Sequence, residues 1–269
     1  MIKLAAFDLD NTLIGPDLTL SPRVKDAVTR AMARGVIVTI ATGRGPSPTD
    51  QFAAGLDLAA PLICFQGGLV YDYRARQILH EERLDPAVIP VIARLAEERG
   101  WNLQFETPTM IYLPRESNHP EEIMNLLRVA NWKRVNDFMT DLPEVPHKFI
   151  LSVHDPAERD ALAAELRARF DSELAKITVV PSHPILVEGL PHGLSKAVGL
   201  QWLAARFGLA RDEIMAVGDN DNDAEMLAWA GLGVAMSDGS RAALAAADTM
   251  VPPVSQDGAA VALERYILA

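Results

Sequence analysis

The sequence predicts an α/β protein carrying an inserted α+β module, and three observations lead there. Short apolar runs recur at 2–7, 36–41, 62–65, 214–217 and 232–236, as expected of strands buried on both faces of a parallel sheet. Helical segments lie between them at both ends of the chain, which is the alternation of βαβ units. The middle of the chain instead reads as a helix followed by a pair of strands, used twice.

In chain order, the run 2–7 is the first strand, and Ser21 with Pro22 opens a helix that ends at Gly35. Strands at 36–41 and 62–65 follow, then a small hairpin from 70–73 and 77–81. Asp85-Pro86 starts a helix to about Gly100, 101–106 and 110–113 alternate like strands, and 120–130 is helical. A strand at 148–154 precedes a long Ala/Leu/Arg helix capped by Asp155-Pro156 and running to Phe170, after which 177–180 and 185–187 are strands. Ser195 opens a helix to about Gly208, and the strands 214–217 and 232–236 flank a helix through Ala230. The Ala-rich 242–247 is helical because alanine has the best helix propensity. The inserted module is expected at 84–188, leaving 1–83 and 189–269 as the domain that contains it.

Composition sets bounds on function. A chain of 269 residues with 49% apolar and 23% charged side chains can bury a large core, and its length suits two domains. A net charge of −11 argues against a duplex-binding surface, so nucleic acid is not an expected partner. A single cysteine, Cys64, permits no internal disulfide and no thiolate zinc cluster. No apolar run nears the roughly 18 residues of a membrane span, and the run after Lys3 is too short for a signal-peptide core. The expected setting is a soluble cytoplasmic protein. Trp101, Trp132 and Trp229 serve equally as core, so they carry no signal for oligomeric state.

The chemistry gathers at strand ends. The first strand runs into Asp8-Leu9-Asp10-Asn11-Thr12, where alternation directs Asp8 and Asp10 to one side. Open α/β sheets place ligands at this end of their strands. Ala41-Thr42-Gly43-Arg44 ends the second strand with a hydroxyl, an unhindered N–H and a cation, a set that fits an oxyanion. Gly218-Asp219-Asn220-Asp221-Asn222-Asp223 is a third acidic loop. It is no calcium loop of the EF-hand kind, because Ala224 stands where the turn needs glycine and Ala230 where the bidentate glutamate belongs. Each segment alone also has a plain structural reading, as Asx turns or as acidic groups at a helix start. Lys196, just inside a helix, alone would be an ordinary surface lysine.

In this order, Asp8 with Asp10, Thr42-Gly43, Lys196 and Asp219 through Asp223 resemble the four motifs of the haloacid dehalogenase phosphatase superfamily. The insertion and the tail Ser255-Gln256-Asp257-Gly258 resemble its Cof-type branch. The resemblance covers essentially the whole chain and implies a Rossmann-like parallel-sheet core with an inserted cap. Asn11 stands where the family commonly has glycine, and Gln66-Gly67 where it commonly has Asn-Gly.

The resemblance implies a phosphatase of small phosphorylated metabolites, such as sugar phosphates or a phosphorylated cofactor. Asp8 would be the nucleophile, already ionised near neutral pH, and Asp10 the general acid and base. A dianionic substrate approaching a −11 protein calls for a cation. Mg²⁺ is expected on oxygens of Asp8, Asp219 and the Asp10 carbonyl, with Asp223 orienting the ligands from behind. Leu9, Thr42, Gly43, Arg44, Lys196 and Asn222 would hold the phosphoryl group. Two other functions stay open: a phosphosugar mutase that returns the phosphoryl group to its substrate, and a catalytically silent phosphometabolite sensor, which would have no use for Asp10. Discrimination among substrates is expected from the insertion, where Arg115, His119, Lys148 and Glu188 are the polar candidates, each read as a solvated surface side chain.

Overall fold

The computed structural model describes residues 1–116, 131–153, 155–171, 176–183 and 185–269. In chain order the strands are Leu4–Phe7 (β1), Ile37–Ile40 (β2), Leu62–Cys64 (β3), Leu69–Asp72 (β4), Gln77–Glu81 (β5), Asn102–Glu106 (β6), Ile111–Pro114 (β7), Trp132–Val135 (β8), Lys148–Ser152 (β9), Ile177–His183 (β10), Leu186–Pro191 (β11), Ile214–Gly218 (β12), Leu232–Met236 (β13) and Thr249–Val251 (β14). The chain forms two compact units, one of 1–44, 49–81 and 195–269, the other of 45–48 and 82–194.

The first unit is built on a parallel sheet in the order β14-β13-β12-β1-β2, and a parallel bridge from Ala41 to Ile63 continues it towards β3. On β1, Ala5 and Phe7 enter one apolar cluster while Leu4 and Ala6 enter another. On β12, Met215 and Val217 divide from Ile214 and Ala216 in the same way. Both faces of these strands are therefore buried, which is why they read as unbroken apolar runs. One face is covered by the helices Pro22–Ala33 and Gly258–Tyr266, the other by Lys196–Phe207 and Ala224–Trp229. Ser21 caps the first of these helices, its hydroxyl accepting from the Val24 N–H at 3.1 Å.

β3 also pairs antiparallel with β4, and β4 with β5, so the expected hairpin is one edge of a three-stranded sheet. The expected strand 62–65 stops at Cys64 because Phe65 and Gln66 turn left-handed, at φ 50° and 55°. β14 had no readable signal. Three residues are too few for a period, and of its two apolar side chains Val251 is buried while Met250 is exposed.

The second unit holds a six-stranded sheet in the order β10-β11-β9-β6-β7-β8. Leu103, Phe105, Phe149, Leu151 and Val187 form its core with Ile92 and Leu95 of helix Val88–Arg99 and Leu162 and Leu166 of helix Pro156–Asp171. Asp155 caps the latter, accepting from the Ala157 N–H at 2.9 Å. β8 escaped the sequence reading because Trp-Lys-Arg-Val lacks alternation. The helix expected at 120–130 and the candidate His119 lie outside the described residues. β11 continues to Pro191, so Glu188 sits inside a strand.

Two of the proposed surface candidates are not on the surface. Lys148 is 3% and Glu188 4% exposed; they lie on the sheet face opposite the apolar core and pair with one another. Lys148 Nζ reaches Glu188 at 2.8 Å and Glu106 at 3.6 Å, and Gln104 donates to Glu106 at 2.7 Å. Burial, more than any other factor, pushes the Glu106 carboxyl above its usual range, with Glu188 adding and Lys148 opposing. Burial works to lower Lys148, but Glu106 and Glu188 outweigh it and hold its ammonium above the ordinary lysine range. Arg115 is exposed and donates to Asn136 at 2.9 Å.

Removing one partner of a buried charge cluster strands the others, at a cost of about 3–5 kcal/mol. Lys148→Met is therefore expected to lower the urea midpoint clearly, and the triple change Glu106→Gln, Lys148→Met, Glu188→Gln to recover most of it. An unchanged midpoint in Lys148→Met would show that the cluster adds nothing to the fold.

Candidate active site

Parallel pairing brings separate loops to one sheet edge. Phe7 is in register with Val217 on one side and Ile40 on the other. Asp8, donating its N–H to the Val217 carbonyl at 2.8 Å, therefore emerges beside Gly218-Asp219 and beside Ala41-Thr42. Thr42 donates its N–H to Ile63, and the Gln66 N–H returns to the Thr42 carbonyl at 3.0 Å, tying in the turn after β3. Thr42 Oγ1 accepts from the Arg44 N–H at 3.1 Å, closing the turn around Gly43. Leu9 is fully buried, its carbonyl accepting from Leu13 and Ile14. Leu9, Thr42 and Gly43 thus take their places from the backbone.

The charged side chains form a network at this edge. Lys196, 1% exposed at the start of helix Lys196–Phe207, donates to Asp8 Oδ1 at 2.5 Å and to Asp223 Oδ1 at 2.6 Å. The other oxygen of Asp223 accepts the backbone N–H groups of Asp219 and Asn220, both at 2.9 Å. Gly218 makes this possible: a Cβ there would stand 2.5 Å from the Asp223 carboxyl carbon. Thr12 Oγ1 donates to Asp219 Oδ1 at 3.0 Å. Thr12 was not among the sequence candidates, although its place in the turn after Asp10 was a usable signal.

Asp10 stands apart from this network. It is partly exposed, and Arg44 grips both its oxygens, Nε to Oδ2 at 2.7 Å and Nη2 to Oδ1 at 2.6 Å. Arg44, expected on a phosphoryl group, is here the partner of the candidate acid. Asn11, where the family commonly has glycine, is left-handed at φ 57°, a conformation asparagine tolerates better than most residues. Asn222 donates to Gln66 Oε1 at 3.0 Å.

Carboxylate oxygens of Asp8, Asp219 and Asp223 lie within 4.8 Å of one another, an arrangement that one ammonium does not neutralise. Burial is the largest cause that pushes Asp8 well above the usual carboxylate range; Asp223, Asp219 and Asp10 add to it, and Lys196 opposes it. Burial and then Asp223 push Asp219 up to about 6, against Thr12, Lys196 and Asp8. Burial tends to lower Lys196, but Asp223 and Asp8 reverse the sign and raise it. These residues fit a hard divalent cation: the donors are all oxygen, and a positive charge among them removes the repulsion. Because Asp223 has both oxygens committed, Asp8 and Asp219 are the side chains available to hold it.

The model of the haloacid dehalogenase-like hydrolases matches residues 5–263. A Bacillus subtilis protein, 5-amino-6-(5-phospho-D-ribitylamino)uracil phosphatase YitU, is 29% identical over 98% of this chain and 97% of its own length. The HMP-PP phosphatase of Serratia proteamaculans is 29% identical over 88% of this chain and 84% of its own. Among solved structures, a haloacid dehalogenase-like hydrolase from Bacteroides thetaiotaomicron superposes with a TM-score of 0.88 at 27% identity, covering 98% of this chain and 99% of that one. With one family spanning its sequence and its fold alike, the chain belongs to the haloacid dehalogenase-like hydrolases, as an enzyme of the phosphoric monoester hydrolase class.

Proposed function

We propose that this hydrolase releases phosphate from small phosphorylated metabolites through a covalent phosphoryl intermediate on Asp8, with Mg²⁺ as its cation. The observation that carries the reading is Asp8 itself: a carboxylate at a strand end, fixed by Lys196, with Asp10 two residues on and Asp219 beside it. The relatives support the substrate class, since the Bacillus and Serratia proteins are both named for small organic phosphates.

In the first step a carboxylate oxygen of Asp8 attacks phosphorus, the ester P–O bond breaks, and Asp10 gives a proton to the departing alkoxide. In the second, Asp10 takes a proton from water as the water oxygen attacks phosphorus, and the Asp8–phosphorus bond breaks to release inorganic phosphate. Arg44, bonded once to each Asp10 oxygen, orients the acid and leaves each oxygen a second lone pair for the proton it exchanges. Lys196 keeps Asp8 pointed at the incoming phosphoryl group and offers it positive charge, while Thr42, the Gly43 N–H and Asn222 are placed to hold its oxygens. Mg²⁺, held by Asp8 and Asp219 with the Asp10 carbonyl, would offset the charge that phosphate brings to this acidic edge. Among the described residues no helix is long and apolar enough to cross a membrane.

Asp8→Asn is expected to release no phosphate above background from any ester. Asp10→Asn should slow release by about 10²–10⁴-fold, and near-wild-type release by Asp8→Asn would contradict the covalent route. Release of free phosphate also separates this reading from a mutase, which returns the group to the substrate.

Removing divalent metal with a chelator should abolish activity, Mg²⁺ should restore it, and Ca²⁺ should do so poorly because it prefers looser coordination. Asp219→Ala should behave like the chelated enzyme at all but high Mg²⁺. Full activity without divalent metal would contradict the assignment.

A further inference from the structure

The turn that follows β3 is fastened to the loop after β2 by its backbone. The Phe65 N–H donates to the Arg44 carbonyl and the Gln66 N–H to the Thr42 carbonyl, each at 3.0 Å. Gly67, at φ 95°, lies so close to the Ser195 carbonyl that any Cβ there would clash with it, and a Cβ on Gly199 would stand 2.8 Å from the Gly67 Cα. The turn is therefore also packed on the start of the helix that carries Lys196. Its third attachment is a side chain. Gln66, 2% exposed and left-handed at φ 55°, accepts from Asn222 Nδ2 at 3.0 Å.

That last bond joins loops that the sheet does not join. In the sheet, β2 and β1 stand between β3 and β12, so strand register fixes the loop after β12 only through its own backbone. Asp223 secures that backbone by accepting the N–H groups of Asp219 and Asn220, but neither bond reaches the Asn222 amide. Among the described residues Gln66 is the hydrogen-bond partner of the Asn222 side chain, and Asn222 Oδ1 has none. The restraint does not depend on how the two amides are turned, since with both flipped Gln66 Nε2 would donate to Asn222 Oδ1. In either case Asn222 keeps an N–H that Gln66 does not use, because Nδ2 carries two.

We propose that Gln66 is a positioning residue: it holds the Asn222 amide in the rotamer that offers an N–H to the phosphoryl group, and so links the loops of Thr42 and Asn222 into one preorganised phosphoryl site. This rests on the phosphatase reading above, with Asn222 as one of its phosphoryl contacts. A side chain held in place before the substrate arrives costs no ordering when it binds. Without the Gln66 amide, Asn222 must be ordered by the phosphoryl group itself. Binding of every phosphate monoester then weakens alike, and binding of free phosphate with it. A contact to the alcohol would instead weaken some esters and spare others.

The test removes the side-chain bond and leaves the backbone donors in place. Gln66→Met keeps an unbranched chain and loses the amide; Gln66→Asn keeps the amide one methylene short of Asn222 and tolerates the left-handed turn. Phosphate release with Mg²⁺ is measured over a panel of monoesters that includes p-nitrophenyl phosphate and D-ribose 5-phosphate, together with inhibition by inorganic phosphate, and thermal denaturation reports folding. Both variants are expected to fold, to raise KM for every ester turned over by roughly 3- to 10-fold with kcat little changed, and to weaken inhibition by phosphate by the same factor. In an Asn222→Ala background Gln66→Met should add nothing further, since the bond has lost its other partner. A folded Gln66→Met with wild-type KM and wild-type phosphate inhibition overturns the proposal, and so does a full effect that persists in Asn222→Ala. Failure of both Gln66 variants to fold overturns it too, by making Gln66 a residue of the fold alone. Wild-type phosphate inhibition in Asn222→Ala removes the contact through which Gln66 acts and overturns the proposal while leaving the phosphatase reading intact. Release from no monoester by the wild type would instead overturn that reading, and this inference with it.

Discussion

One lysine shared between two buried carboxylates, with a third carboxylate alongside, is the constraint on which the catalytic edge depends. Lys196 spans Asp8 and Asp223 at 2.5 and 2.6 Å, and Asp219 completes a set that a single ammonium leaves negative. So much negative charge at the end of a buried sheet is relieved by a cation close by or by taking up a proton. The fold accepts that cost in order to hold Asp8 still. The parallel register sets the Asp8 backbone, Lys196 sets its side chain, and Asp223 positions Lys196 while binding the backbone of the next loop.

The restraint is distributed unequally among these groups. Asp223 makes one bond to Lys196 and two to backbone N–H groups, and Gly218 removes the Cβ that would block it. Asp10 instead is partly exposed, and among the described residues its carboxylate is held by the Arg44 side chain. For Asp10, the proposed acid and base, that arrangement fixes the carboxylate and leaves a lone pair on each oxygen for a proton. For Asp8, the proposed nucleophile, the network fixes the side chain through Lys196 and the backbone through the strand register.

The sequence was legible where chemistry sits at the ends of long apolar strands. Asp8, Thr42 and Asp219 each follow a run whose two faces are buried, so the runs revealed both the sheet and the edge on which these residues meet. Contacts between distant segments were not legible. The Asn222–Gln66 bond joins residues 156 positions apart, and no local pattern announces it. Lys148 and Glu188 looked solvated because lysine and glutamate almost always are. Their burial depends on cross-strand neighbours, with Lys148 opposite Glu106 on the adjacent strand, which a single strand's sequence does not display. The turn after β3 was missed for another reason: Phe65 is apolar and continues the run, while its positive φ ends the strand.

The most direct test of the account is to find the phosphoryl group during turnover. The enzyme is mixed with a hydrolysable monoester and Mg²⁺, quenched in acid before one turnover completes, digested and mapped by mass spectrometry. The account predicts the mass of one phosphoryl group on the peptide carrying Asp8, absent in Asp8→Asn. Phosphate release with no transient modification of that peptide, together with inversion at a chiral phosphorus, would mean that water attacks the substrate directly and that Asp8 is no nucleophile.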